Sequence, residues 1–293
     1  MFDVLIVGGS YAGMSAALQL GRARRKVLVV DAGVRRNRFA AHAHGLLGRD
    51  GVEPAVLAAQ GRRDVEAYPT VTWLEGEAAS ARKTSDGFAL RLASGEEHHG
   101  RLVVLALGVT DELPDLPGLR ERWGKSVFHC PYCHGYELGM GKLGCLATSP
   151  MSIHQAAMLP DWGETTYFTN GAHEPAPEEL ALLERRGVHV EREPVAKVGG
   201  AIDVTLASGR TLSFAGLFAA SQTRPSSPLA EELGCELEQG PMGPFIKTDA
   251  MKETTVPGVF ACGDAAIAAG AVPFAIGDGF RAGTAAHRSL MFG

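Results

Sequence analysis

The sequence predicts an α/β protein built from two three-layer units of one design, each a parallel sheet flanked by helices and extended by a small antiparallel meander. Three observations predict it. A buried-type strand at the amino end runs through a glycine-rich turn into a helix; the same succession of strands and helices returns from Lys142; and each copy contains alternating segments broken by hairpin-forming pairs such as Asp86-Gly87 and Ser208-Gly209.

Bulk composition agrees with this. At 293 residues the chain has room for about two domains, and 45% hydrophobic with 21% charged residues describes a chain that buries a core. A net charge of only −5 at this hydrophobicity excludes a disordered chain. The acidic balance also argues against a nucleic-acid partner, because no Lys/Arg cluster is longer than Arg22-Ala-Arg-Arg-Lys26, which falls at an expected helix end. The longest apolar stretch, residues 265–276, contains Gly270 and Pro273 and falls short of the roughly 18 residues of a membrane span. Asp3 lies within the first apolar run, which reads as a strand rather than a secretory signal. Five scattered cysteines are no disulfide framework for a chain of this length, so a reducing cytoplasm is expected and the one close pair reads as chemistry.

The elements follow in order. Residues 3–7 read as a buried parallel-type strand, 11–24 as a helix with small residues toward the sheet, and 26–31 as a second buried strand. A helix over 53–68 leads to a strand at 71–74, then a meander, then a strand over 102–107 that ends at Gly108. The second copy runs as strand 143–147, helix 151–159, strand 165–168, helix 177–186 and strand 188–191, then a second meander and a strand at 217–220. Pro- and Gly-rich segments at 111–118 and 239–244 are the expected hinges. Beyond them, a strand at 258–262, the pair Gly263-Asp264 and a helix over 279–288 return to complete the first domain. The expected division is a discontinuous domain of 1–112 and 242–293 around a domain of 113–241 that carries the cysteine pair.

Gly8-Gly9-Ser10-Tyr11-Ala12-Gly13 lies between strand and helix, and Asp31 ends the next strand. Together these form a Rossmann-like dinucleotide fingerprint: a tight turn, close approach to a pyrophosphate, a helix amino end facing negative charge, and a carboxylate for a ribose hydroxyl. Ser10 stands where the usual motif has glycine. The corresponding turn of the second copy, Ala147-Thr-Ser149-Pro-Met-Ser152, has no glycine, and no Lys or Arg occurs from Leu143 through Glu184. An NADPH 2′-phosphate requires a basic residue near the end of the second strand, where this chain reads Phe168-Thr169-Asn170-Gly171.

Cys130-Pro131-Tyr132-Cys133 carries the strongest chemical signal. Two intervening residues let the thiols close a small reducible disulfide, and a following helix start would favour a thiolate. A zinc site is disfavoured because there is no second Cys pair, and one drawing on His129 and His134 would be sterically awkward, so no metal is expected. His134 adjoins Cys133, and Glu137 lies three residues on, where a helix would place the two on one face. The pair suits a proton acceptor and its orienting carboxylate. Cys145 and Cys262 fall in buried strands as inert hydrophobes, and Cys235 falls in a polar, surface-like segment.

These motifs, in this order, resemble the low-molecular-weight thioredoxin reductases over nearly the whole chain. The shared residues are Gly8–Gly13, Asp31, Ala106-Leu107-Gly108, Cys130–Cys133, and Thr255-Val-Pro-Gly-Val-Phe-Ala-Cys-Gly263-Asp264. Within that superfamily, Cys-Pro-Tyr-Cys-His-Gly-Tyr-Glu, Arg36-Asn-Arg38-Phe39 and His42-Ala-His44-Gly45-Leu-Leu-Gly48-Arg-Asp-Gly51 are similar to the FAD-dependent dithiol oxidases of gliotoxin- and holomycin-type metabolites. His134 stands where thioredoxin reductases proper have Asp. The resemblance implies a homodimer of FAD/NAD(P)-disulfide reductase fold. It implies FAD contacts at Gly8, Ser10, Tyr11, Ala12, Gly13, Asp31, Arg38, His44, Gly108, Gly263, Asp264, Phe274 and Ala275, with Cys133 facing the flavin and Cys130 exchanging with substrate. His42 and His44 read equally well as flavin-lining or loop-capping residues.

Three functions follow as expectations. The first is oxidation of a dithiol by dioxygen through Cys130–Cys133, giving a disulfide and hydrogen peroxide, with His134 and Glu137 handling the proton. The second is the same chemistry reversed, with NAD(P)H or another donor reducing a disulfide or thioredoxin-like protein. The third, a slow flavoprotein scaffold or redox-sensing binding module, sits poorly with an intact Cys pair.

Overall fold

The computed structural model describes residues 1–267 and 270–293; residues 268 and 269, inside the apolar stretch 265–276, lie outside the described residues. The chain opens with β1 (Phe2–Val7), α1 (Tyr11–Arg22), β2 (Val27–Asp31), α2 (Pro54–Glu66) and β3 (Val71–Glu75), followed by β4 (Ala78–Thr84), β5 (Gly87–Leu92), β6 (Glu97–Leu105) and β7 (Val109–Glu112). It continues with β8 (Val127–Phe128), α3 (Pro131–His134), β9 (Met140–Leu146), α4 (Ser152–Met158), β10 (Gly163–Phe168), α5 (Pro177–Arg185) and β11 (His189–Glu191). Then come β12 (Val195–Gly199), β13 (Asp203–Leu206), β14 (Thr211–Ser213), β15 (Gly216–Ala219), β16 (Gln222–Pro225), α6 (Leu229–Glu232), β17 (Leu237–Gly240), β18 (Gly243–Ile246), β19 (Val259–Ala261) and α7 (Val272–Phe292).

Two compact units result. The first comprises residues 1–38, 54–110 and 223–293. Its sheet has the order β3-β2-β1-β6-β5-β4, with β19 also pairing β6. The parallel strands β1, β2 and β19 and residues 102–105 of β6 are mostly apolar because both faces are covered; Val4 pairs with Val27 and Leu102, and Ala261 with Leu105. β4, β5 and the start of β6 form the antiparallel meander. The second unit comprises 39–53 and 111–222. Its sheet, β11-β10-β9-β15-β8, is wholly parallel, and β12-β13-β14 form its own meander.

The unit boundaries differ from the sequence division in three places: residues 111 and 112 fall in the second unit, and two longer segments move for side-chain reasons. Residues 223–241 belong to the first unit because Leu229 and Ala230 of α6 enter its core and Glu232 accepts the Ala81 N–H at 3.1 Å. The 239–244 segment, expected as a hinge, is the turn of the β17–β18 hairpin. Residues 39–53 belong to the second unit, where Phe39 lies against Gly124.

Two further expectations are corrected. α7 begins at Val272 rather than 279, since Pro273 occupies its first turn, where no backbone N–H is needed. Its glycines 279 and 283 are sites of close approach to α1: a Cβ at Gly279 would lie 2.0 Å from the Ala12 carbonyl oxygen and one at Gly283 2.6 Å from that of Ala16. Cys235 is buried, not superficial, with its thiol 3.4 Å from Thr254 Oγ1. No helix among the described residues is long and apolar enough to cross a membrane.

Candidate active site

In the first unit, β1 delivers the chain into a turn shaped by two glycines. Gly8 has φ +102°, and a Cβ at Gly13 would lie 1.8 Å from the Gly8 carbonyl oxygen, so neither position admits a side chain without moving the backbone. Ser10 is the N-cap of α1 in extended conformation, and its side chain makes no capping bond, which leaves the amino end of the helix open. Close approach at the turn is served by Gly9, whose Cβ would meet the Trp73 ring at 2.5 Å. Asp31 Oδ1 accepts the N–H groups of Gly9 and Gly33 at 3.1 and 3.2 Å.

A cavity of about 520 Å3 opens beside this turn, lined among others by Gly9, Asp31, Arg35, Arg62 and Trp73, a size that suits a small-molecule site. The Arg62 guanidinium stacks 4.9 Å over the Trp73 ring, and Trp73 Nε1 is buried with no hydrogen-bond partner. An orphaned indole donor, an aromatic wall and an uncapped helix end fit an adenine dinucleotide. The sequence reading missed Trp73 and Arg62, whose only signal was their place on the strand and helix beside Asp31.

Of the other cofactor candidates of this unit, Gly263 approaches the helix that follows the same turn. Gly263, at φ +73°, donates its N–H to Asp278 Oδ2 at 2.9 Å, and a Cβ there would lie 2.8 Å from Ala12 Cβ. Asp264 pairs with Arg36 at 3.0 Å. Tyr11 donates its hydroxyl to the Pro54 carbonyl and accepts from Asn37. Gly108 is left-handed at φ +63° and accepts the Ser226 N–H. Arg38 bonds the Arg35 carbonyl, while Phe274, exposed, and Ala275, buried, lie in the first turn of α7.

The equivalent turn of the second unit is filled from within. Ser152 Oγ accepts the N–H groups of Thr148 and Ser149 at 3.0 and 3.4 Å, and Thr148 Oγ1 donates to the Ala220 carbonyl at 2.7 Å.

The same unit holds the cysteine pair. Cys130 and Cys133 form a disulfide at the start of α3, with a Cα–Cα distance of 5.3 Å. α3 is a single turn, so the electrostatic help expected from a helix amino end is small. Tyr132, between the cysteines, is exposed and meets Trp162 edge-on at 5.2 Å. His134 stacks on Phe128 with centroids 4.3 Å apart. Burial holds its pKa down to about 4, the nearby Glu137 carboxylate opposing and His44 adding to the depression. His134 is therefore neutral near pH 7 and free to accept a proton. His44, expected at the cofactor, has its ring in this unit, 3.4 Å from Glu137 and 3.5 Å from Asp50. Cys145 and Cys262 are fully buried and burial pushes their thiols up, so neither offers a thiolate. Among the described residues no group of three or more His, Cys, Asp or Glu is placed to hold a metal ion.

Fold and site together define a disulfide oxidoreductase of flavoprotein type: two units of Rossmann-like architecture, one with an open glycine turn and the other bearing the Cys130–Cys133 disulfide. The family described as pyridine nucleotide-disulphide oxidoreductase matches residues 2–157 and 165–288, and the chain belongs to it. It is similar to the thioredoxin reductase tcpT of Claviceps purpurea (strain 20.1), 34% identical over 304 residues that span 99% of this chain and 94% of that protein. Among solved structures it resembles an oxidoreductase from Agrobacterium tumefaciens, at 56% identity and TM-score 0.97 with 99% of both chains covered. It also resembles HlmI, at 37% identity and TM-score 0.91, covering 99% of this chain and 92% of that one.

Proposed function

We propose that this protein is an FAD-dependent dithiol oxidase acting on a dithiol substrate, as a homodimer, with dioxygen as the terminal acceptor. The observation that carries the reading is the contrast between the two turns. The first unit keeps an open cradle for a dinucleotide, with Gly8, Ser10, Gly13 and Asp31 as its contacts. The second has its turn amides bound by Ser152 and lacks Lys or Arg from Leu143 through Glu184, which removes the partners a pyridine-nucleotide phosphate needs. Without that electron source, reducing equivalents enter from the dithiol.

A substrate thiol, deprotonated with help from His134, attacks Cys130 of the disulfide and releases Cys133 as the thiolate. The second substrate thiol then attacks its sulfur bound to Cys130, which closes the substrate disulfide and leaves Cys130 and Cys133 reduced. Glu137 steadies the imidazolium formed transiently on His134. Bound FAD would accept the two electrons that restore the Cys130–Cys133 disulfide and supply the site where dioxygen becomes hydrogen peroxide. The net change is one dithiol and one dioxygen giving one disulfide and one hydrogen peroxide.

The test supplies dithiothreitol to the aerobic protein in an oxygen electrode. Oxygen uptake with matching peroxide supports the reading. No uptake, together with rapid NADPH oxidation in the presence of a disulfide acceptor, replaces it with the reductase direction that the name of the Claviceps relative suggests.

A further inference from the structure

The helix that follows the closed turn of the second unit carries a buried polar side chain for which the proposed chemistry has no use. Gln155 of α4 is only 7% exposed. Its Nε2 donates to the His129 carbonyl at 2.6 Å, and its Oε1 accepts the Cys145 thiol at 3.6 Å. That thiol is fully buried and burial pushes its pKa up, so it stays protonated and donates. A carbonyl accepts and a protonated thiol donates, so the two partners fix which way the amide faces. Gln155 lies three residues after Ser152, on the same face of α4. Ser152 Oγ holds the Thr148 and Ser149 N–H groups, and its carbonyl accepts the same Cys145 thiol at 3.7 Å. The helix is thus fixed at its amino end, and Gln155 extends from it to the chain that enters the redox pair.

We propose that Gln155 is a positioning residue that holds the backbone at Cys130 once the disulfide has opened, keeping the two thiols placed for the disulfide to re-form. The His129 carbonyl and the Cys130 N–H belong to one planar peptide unit, so a bond to that oxygen constrains the position of the Cys130 Cα. Local structure constrains it little. β8 ends at Phe128, Cys130 is the N-cap of α3 in extended conformation with no side-chain capping bond, and α3 is a single turn. While the pair is oxidised, the Cys130–Cys133 bond holds this segment covalently. Opening it removes that tether and leaves the Gln155 bond, which involves neither sulfur of the pair. Ordered thiols close a disulfide more readily than mobile ones, because the conformational entropy of bringing them together is already lost. Gln155 therefore favours the disulfide form, and α4 serves the redox pair rather than a nucleotide phosphate.

The proposal rests on the reading of Cys130–Cys133 as a thiol-exchanging pair, and its test needs neither oxygen nor NADPH. The purified full-length protein is equilibrated under argon at pH 7 with mixtures of reduced and oxidised dithiothreitol. In that exchange one dithiothreitol passes two electrons and two protons to the protein disulfide, giving two protein thiols, and closes to its own cyclic disulfide. Acid quenching, alkylation and mass spectrometry read the fraction of Cys130 and Cys133 in each state. Gln155→Met keeps the length of the side chain and removes the donor. It should lower the equilibrium constant for forming the disulfide by at least about fivefold, the weight of releasing roughly one residue's backbone. A smaller change, whether or not Tm falls, marks a merely structural hydrogen bond and overturns the proposal. The wild type gives a second reading that does not depend on the variant's folding. Amide hydrogen exchange at residues 128–133 should rise by less than about fivefold on reduction, because Gln155 still holds the segment, and a larger rise overturns the proposal. Rapid flavin reduction by NADPH would defeat the oxidase reading and leave the Gln155 result standing, whereas a wild-type constant in Gln155→Met would defeat this inference alone.

Discussion

Acid bears on this site through the imidazole of His134, held neutral by burial against Phe128. Its pKa lies at about 4 against an ordinary 6.5. Above pH 6.5 the ring is neutral in folded and unfolded chains alike and stability is unaffected. Between pH 6.5 and 4 the unfolded chain takes up a proton that the folded one refuses, so stability falls as pH falls, and the loss is complete once the folded group also protonates. A depression of this size corresponds to about 3 kcal/mol across that window. The perturbation is His134→Gln, which stays polar but cannot protonate. Urea unfolding of both proteins at pH 7, 5.5 and 4 isolates the term, because every other titrating group is common to them. The wild type should lose about 3 kcal/mol more than the variant on going from pH 7 to 4. Parallel losses, or a wild type that resists acid better than His134→Gln, would refute the account of a buried neutral imidazole.

Other outcomes follow from the same geometry. Cys130→Ser and Cys133→Ser should each lower dithiol-dependent oxygen uptake by at least ~1,000-fold, since a hydroxyl neither forms the disulfide nor leaves as a thiolate; activity within tenfold of wild type in an oxygen electrode would contradict the pair's role. Trp73→Ala removes the aromatic wall of the first-unit cavity, and flavin retained after dialysis should fall by roughly tenfold in affinity; unchanged flavin content, read from the absorbance spectrum, would detach that cavity from the cofactor. Gly279→Ala places a Cβ 2.0 Å from the Ala12 carbonyl oxygen and should cost about 1–3 kcal/mol by forcing α7 off α1. Calorimetry would show it as a lowered Tm, and an unaltered Tm would mean the helices yield freely.

The parts of the fold legible in the sequence are those whose cause is local. β1, β2 and residues 102–105 of β6 read as parallel strands because burial on both faces demands apolar residues at nearly every position, and the turn after β1 reads as a cradle because Gly8 and Gly13 occupy backbone positions that exclude a Cβ. What escaped depends on partners distant in sequence. Nothing within residues 39–53 announces that His44 meets Glu137, nor within α6 that Glu232 takes the Ala81 N–H. The helix expected over 279–288 begins at Val272, and its Gly279 and Gly283 serve close contact with α1, a partner distant in sequence. At the candidate site the Cys130–Cys133 disulfide was legible in its spacing, whereas the single helix expected to carry His134 and Glu137 ends at His134 and Glu137 stands in the turn Tyr136–Leu138. The closure of the second turn was only half legible: the missing glycines could be read, but the Ser152 side chain that binds the turn amides could not.

The central claim is that electrons enter this molecule from thiols and not from a nicotinamide. Stopped-flow absorbance in the absence of oxygen tests it, with the flavin-loaded protein mixed against dithiothreitol in one series and NADPH in the other. The yellow colour should bleach with the dithiol, and NADPH at millimolar concentration should leave it essentially unchanged over the same time. Fast, saturable bleaching by NADPH would contradict it.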